Sequence, residues 1–213
     1  MNLVLIGPPG AGKGTQAERI REHFQVTHIS TGDIFRAMDR ESELGKKVFG
    51  YMETGALVPD DLVIEVVLDR LSKDDCKGGW MLDGFPRTVP QAEALDTALA
   101  GAGQTLDTVL EIKVDDEEIV NRLSGRRIAP GSGKIYHVQF FPPKVEGVCD
   151  VSGEPLVHRD DDQPEAIRAR LGKFHEQTEP LVPYYSAKGV LKNVEATGMN
   201  PDQVWEAIQA VLG

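Results

Sequence analysis

Residues 7–15 read GPPGAGKGT, and this stretch decides the fold. Phosphate-binding loops follow G-x-x-x-x-G-K-[ST], a glycine-rich turn between a strand and a helix, with the hydroxyl placed on magnesium. Gly7, Gly12 and Lys13 fit that pattern, but Gly14 stands in the hydroxyl position and Thr15 follows one place late. One residue is about 100° of helical rotation. Thr15 is therefore expected to meet the α-phosphate, which leaves the metal without a protein hydroxyl.

The flanking sequence supplies the required context. The apolar run Leu3 to Ile6 reads as a buried strand, and Ala17, Ile20 and Phe24 recur with helical spacing after Lys13. Backbone N–H groups converge at such a helix start, and the helix dipole favours negative charge there. Further strand candidates are Trp80 to Leu82, Thr108 to Val114 and Val190 to Val194. Helices are expected to begin near Asp61, Thr88, Asp115, Pro164 and Pro201, the last capped by Asn200. Alternating strands and helices predict an α/β fold of three layers, a parallel sheet with helices on both faces and ligands at the carboxyl ends of the strands.

Two stretches break the alternation. Residues 30–59 carry helical spacing at Leu44, Val48 and Met52, which predicts a small helical insertion. Between Arg126 and Gln163, GSGK, FFPPK and VSGEP punctuate short alternating segments, a β-rich insertion. No internal repeat or low-complexity tract is present.

The 213 residues, 40% hydrophobic, suit one core with insertions. A net charge of -11 argues against nucleic-acid and anionic-membrane partners, so an anionic substrate must be met by locally concentrated arginine. Cys76 and Cys149 are too few and too far apart for a disulfide framework and read as reduced thiols. With no basic leader and no bilayer-length apolar run, the chain is expected to be cytoplasmic. A monomer is expected because no exposed apolar stripe stands out.

A second motif lies at Met81-Leu82-Asp83-Gly84-Phe85-Pro86-Arg87-Thr88. A strand ending in Asp83 brings a carboxylate to the phosphates, where it could order the waters of a hydrated magnesium ion. Arg87, just beyond, carries the planar fork that grips a phosphate. The competing reading of Asp83 is a simple turn cap.

GPPGAGKGT, STGDIFR at 30–36, DGFPRT at 83–88, GRR at 125–127 and RARL at 168–171 together resemble the adenylate kinase family. The resemblance spans essentially the whole chain, and the segment at 126–163 is similar to the lid of the long bacterial form. It implies a core of residues 1–29, 60–121 and 164–213, an NMP-binding insertion at 30–59 and a lid at 122–163. It implies that Gly10, Ala11, Gly12, Lys13, Gly14 and Thr15 bind the ATP phosphates. AMP would be bound by Thr31, Arg36, the backbone of Ala56, Leu57 and Val58, then Gly84, Phe85, Pro86, Arg87 and Gln91.

The resemblance further implies that Arg122, Arg126, Arg159 and Arg170 converge on the transferring phosphoryl group, with Ile135 and Tyr136 near the ATP and the adenine beside the backbone of Asn200. Arg159 and Arg170 would also contact AMP. Taken singly, each arginine could equally be a solvated surface residue. Arg168 and Arg170 cannot share one helical face, and Asp161 and Asp162 stand near enough in sequence to hold Arg159.

The implied reaction is transfer of the γ-phosphate of Mg-ATP to AMP, giving two ADP. AMP oxygens are already ionised, so no strong base is needed. His28, His137, His158 and His175 read as structural or solvated. Closing of the lid over the site, also implied by the resemblance, would exclude water. Some relatives hold lid zinc through two cysteine pairs. The corresponding positions are Ala129, Ser132, Cys149 and Ser152, which lack four good ligands, so no structural zinc is expected. Another nucleoside monophosphate kinase for UMP, CMP or GMP, or a GTP-using relative, is the nearest alternative. A regulatory P-loop ATPase is a more distant one, and an N-K-x-D guanine signature is absent.

Overall fold

The computed structural model describes residues 1–53 and 58–213, without the side chains of residues 33, 36, 37, 52, 53 and 161. The expected sites Ala56 and Leu57, and the side chain of Arg36, therefore lie outside the described residues.

Five strands form one parallel sheet: β1 (Asn2–Ile6), β2 (Thr27–Ser30), β3 (Trp80–Asp83), β4 (Thr108–Lys113) and β7 (Leu191–Glu195), in the order β2-β3-β1-β4-β7. β1 pairs with β3 from Asn2↔Trp80 to Leu5↔Asp83, and with β4 from Leu3↔Thr108 to Ile6↔Glu111. Strands buried on both faces read as continuous apolar runs, as VLI and WML do here. Two hydrophobic clusters result. Leu3, Leu5, Leu110 and Ile112 face one, and Val4, Ile6, Leu82 and Val109 face the other. Three layers follow, as the sequence predicted.

Helices α1 (Lys13–Phe24), α4 (Asp60–Leu71), α5 (Val89–Gly101), α6 (Asp116–Ser124), α7 (Pro164–Lys173), α8 (Leu181–Ala187) and α9 (Pro201–Leu212) cover the sheet or link its strands. Local chemistry sets their starts. Thr88 caps α5, its hydroxyl accepting from the Gln91 N–H, and Asn200 with Gln203 forms a capping box on α9. The expected starts agree to within one residue.

The strand β2 was not expected. Only Ile29 of its four residues is fully buried, so THIS offers neither alternation nor an apolar run. It pairs with β3 and ends at Ser30↔Asp83. Between it and α4 lie α2 (Thr31–Ala37) and α3 (Glu43–Glu53), packed by Val48 against Leu62 and Val66. A two-stranded antiparallel sheet, β5 (Arg126–Ile128) and β6 (Ile135–His137), forms the other excursion.

Candidate active site

The carboxyl edge of β1 turns into the phosphate loop through glycines that only their missing side chains permit. Gly10 and Gly12 sit at φ 85° and 90°, a left-handed conformation costly for other residues. A Cβ on Gly10 would lie 2.7 Å from Leu123 Cγ, so α6 packs directly on the loop. Lys13 turns back over it, its ammonium donating to the carbonyls of Gly7 at 2.6 Å and Pro8 at 2.9 Å. Burial pushes the Lys13 pKa down to about 8, opposed by Asp83 and assisted by the charges of Arg87 and Arg170. The phosphate loop, the 83–87 segment and α7 therefore all act on the charge of Lys13. Gly14 and Thr15 are exposed at the start of α1, open to a ligand.

On the β3 side, Asp83 ends its strand. Its carboxylate accepts no hydrogen bond from the described residues, and His28 Nε2 lies 3.8 Å from Oδ2. The turn after Asp83 brings the second motif inward through a cis Phe85–Pro86 peptide, with Phe85 and Pro86 buried. Thr31 Oγ1 donates to the Gly84 carbonyl at 3.2 Å, and Arg87 Nε donates to the same oxygen at 2.8 Å. Gln91 Oε1 accepts from the Arg87 N–H at 2.7 Å. Thr31, Gly84, Arg87 and Gln91 are thereby one cluster.

Sequence reasoning missed the residue that organises this cluster. Asp60, the first residue of α4, accepts from Gln91 Nε2 at 2.6 Å and from Thr88 Oγ1 at 3.0 Å. An acidic pair at a helix start reads as a dipole partner, which concealed its second role. Behind the cluster a cleft of about 610 Å³ opens, lined by His28, Ser30, Ile34, Met38, Val66 and Arg70. A smaller cavity of about 270 Å³, beside Leu99, Tyr185 and Val190, lies at the opposite ends of the strands and contains none of this chemistry.

The arginines divide. Arg126 donates through Nε to Asp162 Oδ2 at 2.7 Å and through Nη2 to Oδ1, and Arg170 Nη1 stands 3.9 Å from Oδ1. Asp162 is fully buried. With Asp161, whose side chain lies outside the described residues, it was expected to hold Arg159; instead Asp162 ties the base of the second excursion to α7. Arg159 is exposed, and its side chain makes no hydrogen bond among the described residues. Arg168 points to solvent while Arg170 is half-buried, so the two diverge around α7. Arg122 donates through Nη2 to Glu118, to the Ala196 carbonyl at 3.1 Å and to the Met199 carbonyl at 3.3 Å. It faces the 196–199 loop, which leads into Asn200.

In the excursion, Tyr136 is buried and Ile135 exposed. Ala129, Ser132 and Cys149 gather around Tyr136: its hydroxyl lies 3.5 Å from Cys149 Sγ and accepts from the Asp150 N–H at 2.8 Å. Glu154 accepts from the N–H groups of Gly131 and Ser132 and from the Ser152 hydroxyl. These bonds hold its pKa down near about 2. One thiol and two hydroxyls are a poor zinc donor set, and no group of three or more His, Cys, Asp or Glu suited to a metal occurs among the described residues. Of the histidines, His137 Nδ1 accepts two backbone N–H groups, which leaves Nε2 to donate to the Asn121 carbonyl at 3.2 Å. His175 bridges Glu179 and Asp116.

A phosphate loop, a carboxylate at the adjoining strand end and nearby arginines make the carboxyl edge of this sheet an anion-binding edge of the P-loop class. The family model for adenylate kinase matches residues 5–190. The adenylate kinase of Lachnospira eligens is 53% identical over 214 residues, covering 100% of both chains. That of Clostridium acetobutylicum is 53% identical over 100% of this chain and 99% of its own. That of Methanothrix thermoacetophila is 54% identical over 100% and 98%. The chain belongs to the adenylate kinase family.

Proposed function

We propose that the chain transfers the γ-phosphate of Mg-ATP reversibly to AMP, giving two ADP, by in-line attack. The observation that carries this reading is Lys13 folded over the phosphate loop onto the carbonyls of Gly7 and Pro8, with Asp83 ending the adjoining strand and Arg87 bonded to Gly84 just beyond it. The acceptor phosphate is already ionised at neutral pH. Catalysis thus reduces to alignment and neutralisation of charge.

The residues divide the work by position. Gly10 to Thr15 cradle the donor phosphates, with Lys13 exchanging its two carbonyl partners for phosphate oxygens. Arg87, Thr31, Gly84, Phe85, Pro86 and Gln91 bind AMP with Arg36 and the 56–58 backbone, and Arg87 grips the acceptor phosphate. Arg126, Arg159 and Arg170 neutralise the group in flight, the last two also reaching AMP, while Arg122, turned to the 196–199 loop, binds the donor ATP on its base side. Ile135, Tyr136 and the Asn200 backbone flank the ATP. Residues 30–59 and 122–163 act as the acceptor-binding and lid insertions on a core of 1–29, 60–121 and 164–213.

Asp83 suits magnesium held through water. His28 Nε2 stands 3.8 Å from its carboxylate, beyond hydrogen-bond reach, and glycine at position 14 removes the competing hydroxyl. Magnesium, when bound, supplies charge for the β- and γ-phosphates. Zinc has no part in this reading. The two free, buried thiols suit a reducing, cytoplasmic setting, and no described helix is long and apolar enough to cross a membrane. The acidic chain acts as a monomer without nucleic-acid partners.

A coupled assay across nucleotide pairs tests the reading. ADP is expected from ATP and AMP, abolished by Arg87→Ala with the fold retained; preferred turnover of another acceptor would overturn it.

A further inference from the structure

The loop from Ala196 to Pro201 is fastened at every step. The Ala196 N–H donates to the Lys113 carbonyl at 2.8 Å. Thr197 Oγ1 accepts from the Asp115 N–H at 3.0 Å. The Gly198 N–H donates to Glu118 Oε2 at 2.7 Å, and Arg122 spans the carbonyls of Ala196 and Met199. From α1, Gln16 Nε2 donates to the Pro201 carbonyl at 2.9 Å and Arg19 to the same oxygen at 3.2 Å.

Glu118 bonds both the arginine of α6 and the loop that this arginine spans. Oε1 holds Arg122, four residues along the same helix face, and Oε2 holds the Gly198 amide. Both side chains are about three-quarters buried. Arg122 Nη2 has two protons for three acceptors and is pinned at that edge. Its Nε and Nη1 make no hydrogen bond among the described residues, so the rest of the fork is open to a ligand.

Topology says which ligand. The acceptor cluster hangs on β3, on one side of β1, whereas this loop follows β7 and α6 follows β4, on the other side. A donor with its phosphates in the loop after β1 must direct its base away from the acceptor. That direction leads to the 196–201 loop.

We infer that Glu118 is a positioning residue for the donor nucleotide, fixing Arg122 and the Gly198 amide as the rim of the base pocket. The inference rests on the donor-side reading given above. Charge-assisted hydrogen bonds to a partly buried partner are strong enough to register in affinity.

Glu118→Ala removes both contacts, while Glu118→Gln keeps an acceptor for Gly198 and drops the charge facing Arg122. Expected is a rise in KM for ATP of about tenfold in Glu118→Ala and about threefold in Glu118→Gln, with kcat and KM for AMP moving less than about twofold. The inhibition constant of inorganic tripolyphosphate, which has no base, stays at its wild-type value. An unchanged KM for ATP in both variants, with only the melting midpoint lowered, overturns the inference and makes Glu118 a plain structural brace. A parallel rise for tripolyphosphate or AMP overturns it as well. Arg122→Ala is the reference: if it raises KM for ATP and the Glu118 variants do not, the inference alone fails, and if it does not, the donor-side reading fails with it.

Discussion

Asp162, fully buried, receives two hydrogen bonds from the guanidinium of Arg126, and this pair fastens the 122–163 excursion to the helix that carries Arg170. Removing one partner of a buried pair leaves the other charge uncompensated. Asp162→Ala is expected to cost roughly 3 kcal/mol of folding stability, read by urea unfolding. It should also lower kcat by at least about tenfold if Arg126 and Arg170 serve the phosphoryl group as proposed, because both lose their common anchor. Wild-type kcat in a folded Asp162→Ala protein would remove Arg126 and Arg170 from the mechanism.

Asp83 and Thr15 make opposite predictions for magnesium. If the ion is held through water by Asp83, Asp83→Asn raises the magnesium concentration needed for half-maximal rate by at least about tenfold. Thr15→Ala should raise KM for ATP with little change in that requirement. A magnesium titration of both variants decides, and the reverse order would refute the assignment.

Lys13 predicts a pH dependence of donor binding. Its pKa is pushed down to about 8 in the free protein, first by burial, and bound phosphates must raise it by favouring the charged form. Affinity is then fully present below pH 8 and falls as the pH climbs above that value, with proton uptake on binding. Calorimetry in buffers of different ionisation enthalpy reads the uptake directly. No uptake near pH 8 would mean that the ammonium is charged throughout.

Glu111 predicts a gain. It is 6% exposed in β4, and Oε2 has no hydrogen-bond partner among the described residues. Burial raises its pKa, so the folded chain keeps a proton that the unfolded chain releases. Its favourable contribution is present below the unfolded value of about 4.3 and is lost as the pH rises through the higher folded value. Glu111→Gln should therefore stabilise the protein by roughly 1 kcal/mol at pH 7 and leave it unchanged at pH 3. Melting midpoints at the two pH values check this.

What could be read in the sequence was what local pattern encodes. The run from Leu3 to Phe24 announced strand, loop and helix because each signal lies within one turn of the next. Asn200 and Thr88 announced their helices through capping chemistry. The strand β2 escaped because it is four residues long with a single fully buried side chain. The roles of Asp60 and Glu118 were hidden for another reason: their partners Gln91 and Gly198 lie 31 and 80 residues away. Both sit in acidic first turns, where a carboxylate already has a sufficient local explanation. Asp162 shows the same limit, since proximity in sequence suggested Arg159 and the fold delivered Arg126.

The helical excursion after Ser30 departs beside Asp83 and returns at Asp60, whose carboxylate is bonded to Thr88 and Gln91. Its exit and its re-entry are therefore moored to the same short motif, 83–91. Such an element is interchangeable in principle: a segment shaped for a different base could replace it by matching two moorings, while the phosphate loop and its lysine stay untouched. If this excursion holds the acceptor as proposed, a change of acceptor preference needs no redesign of the chemistry, only an exchange of the piece that hangs from those two points.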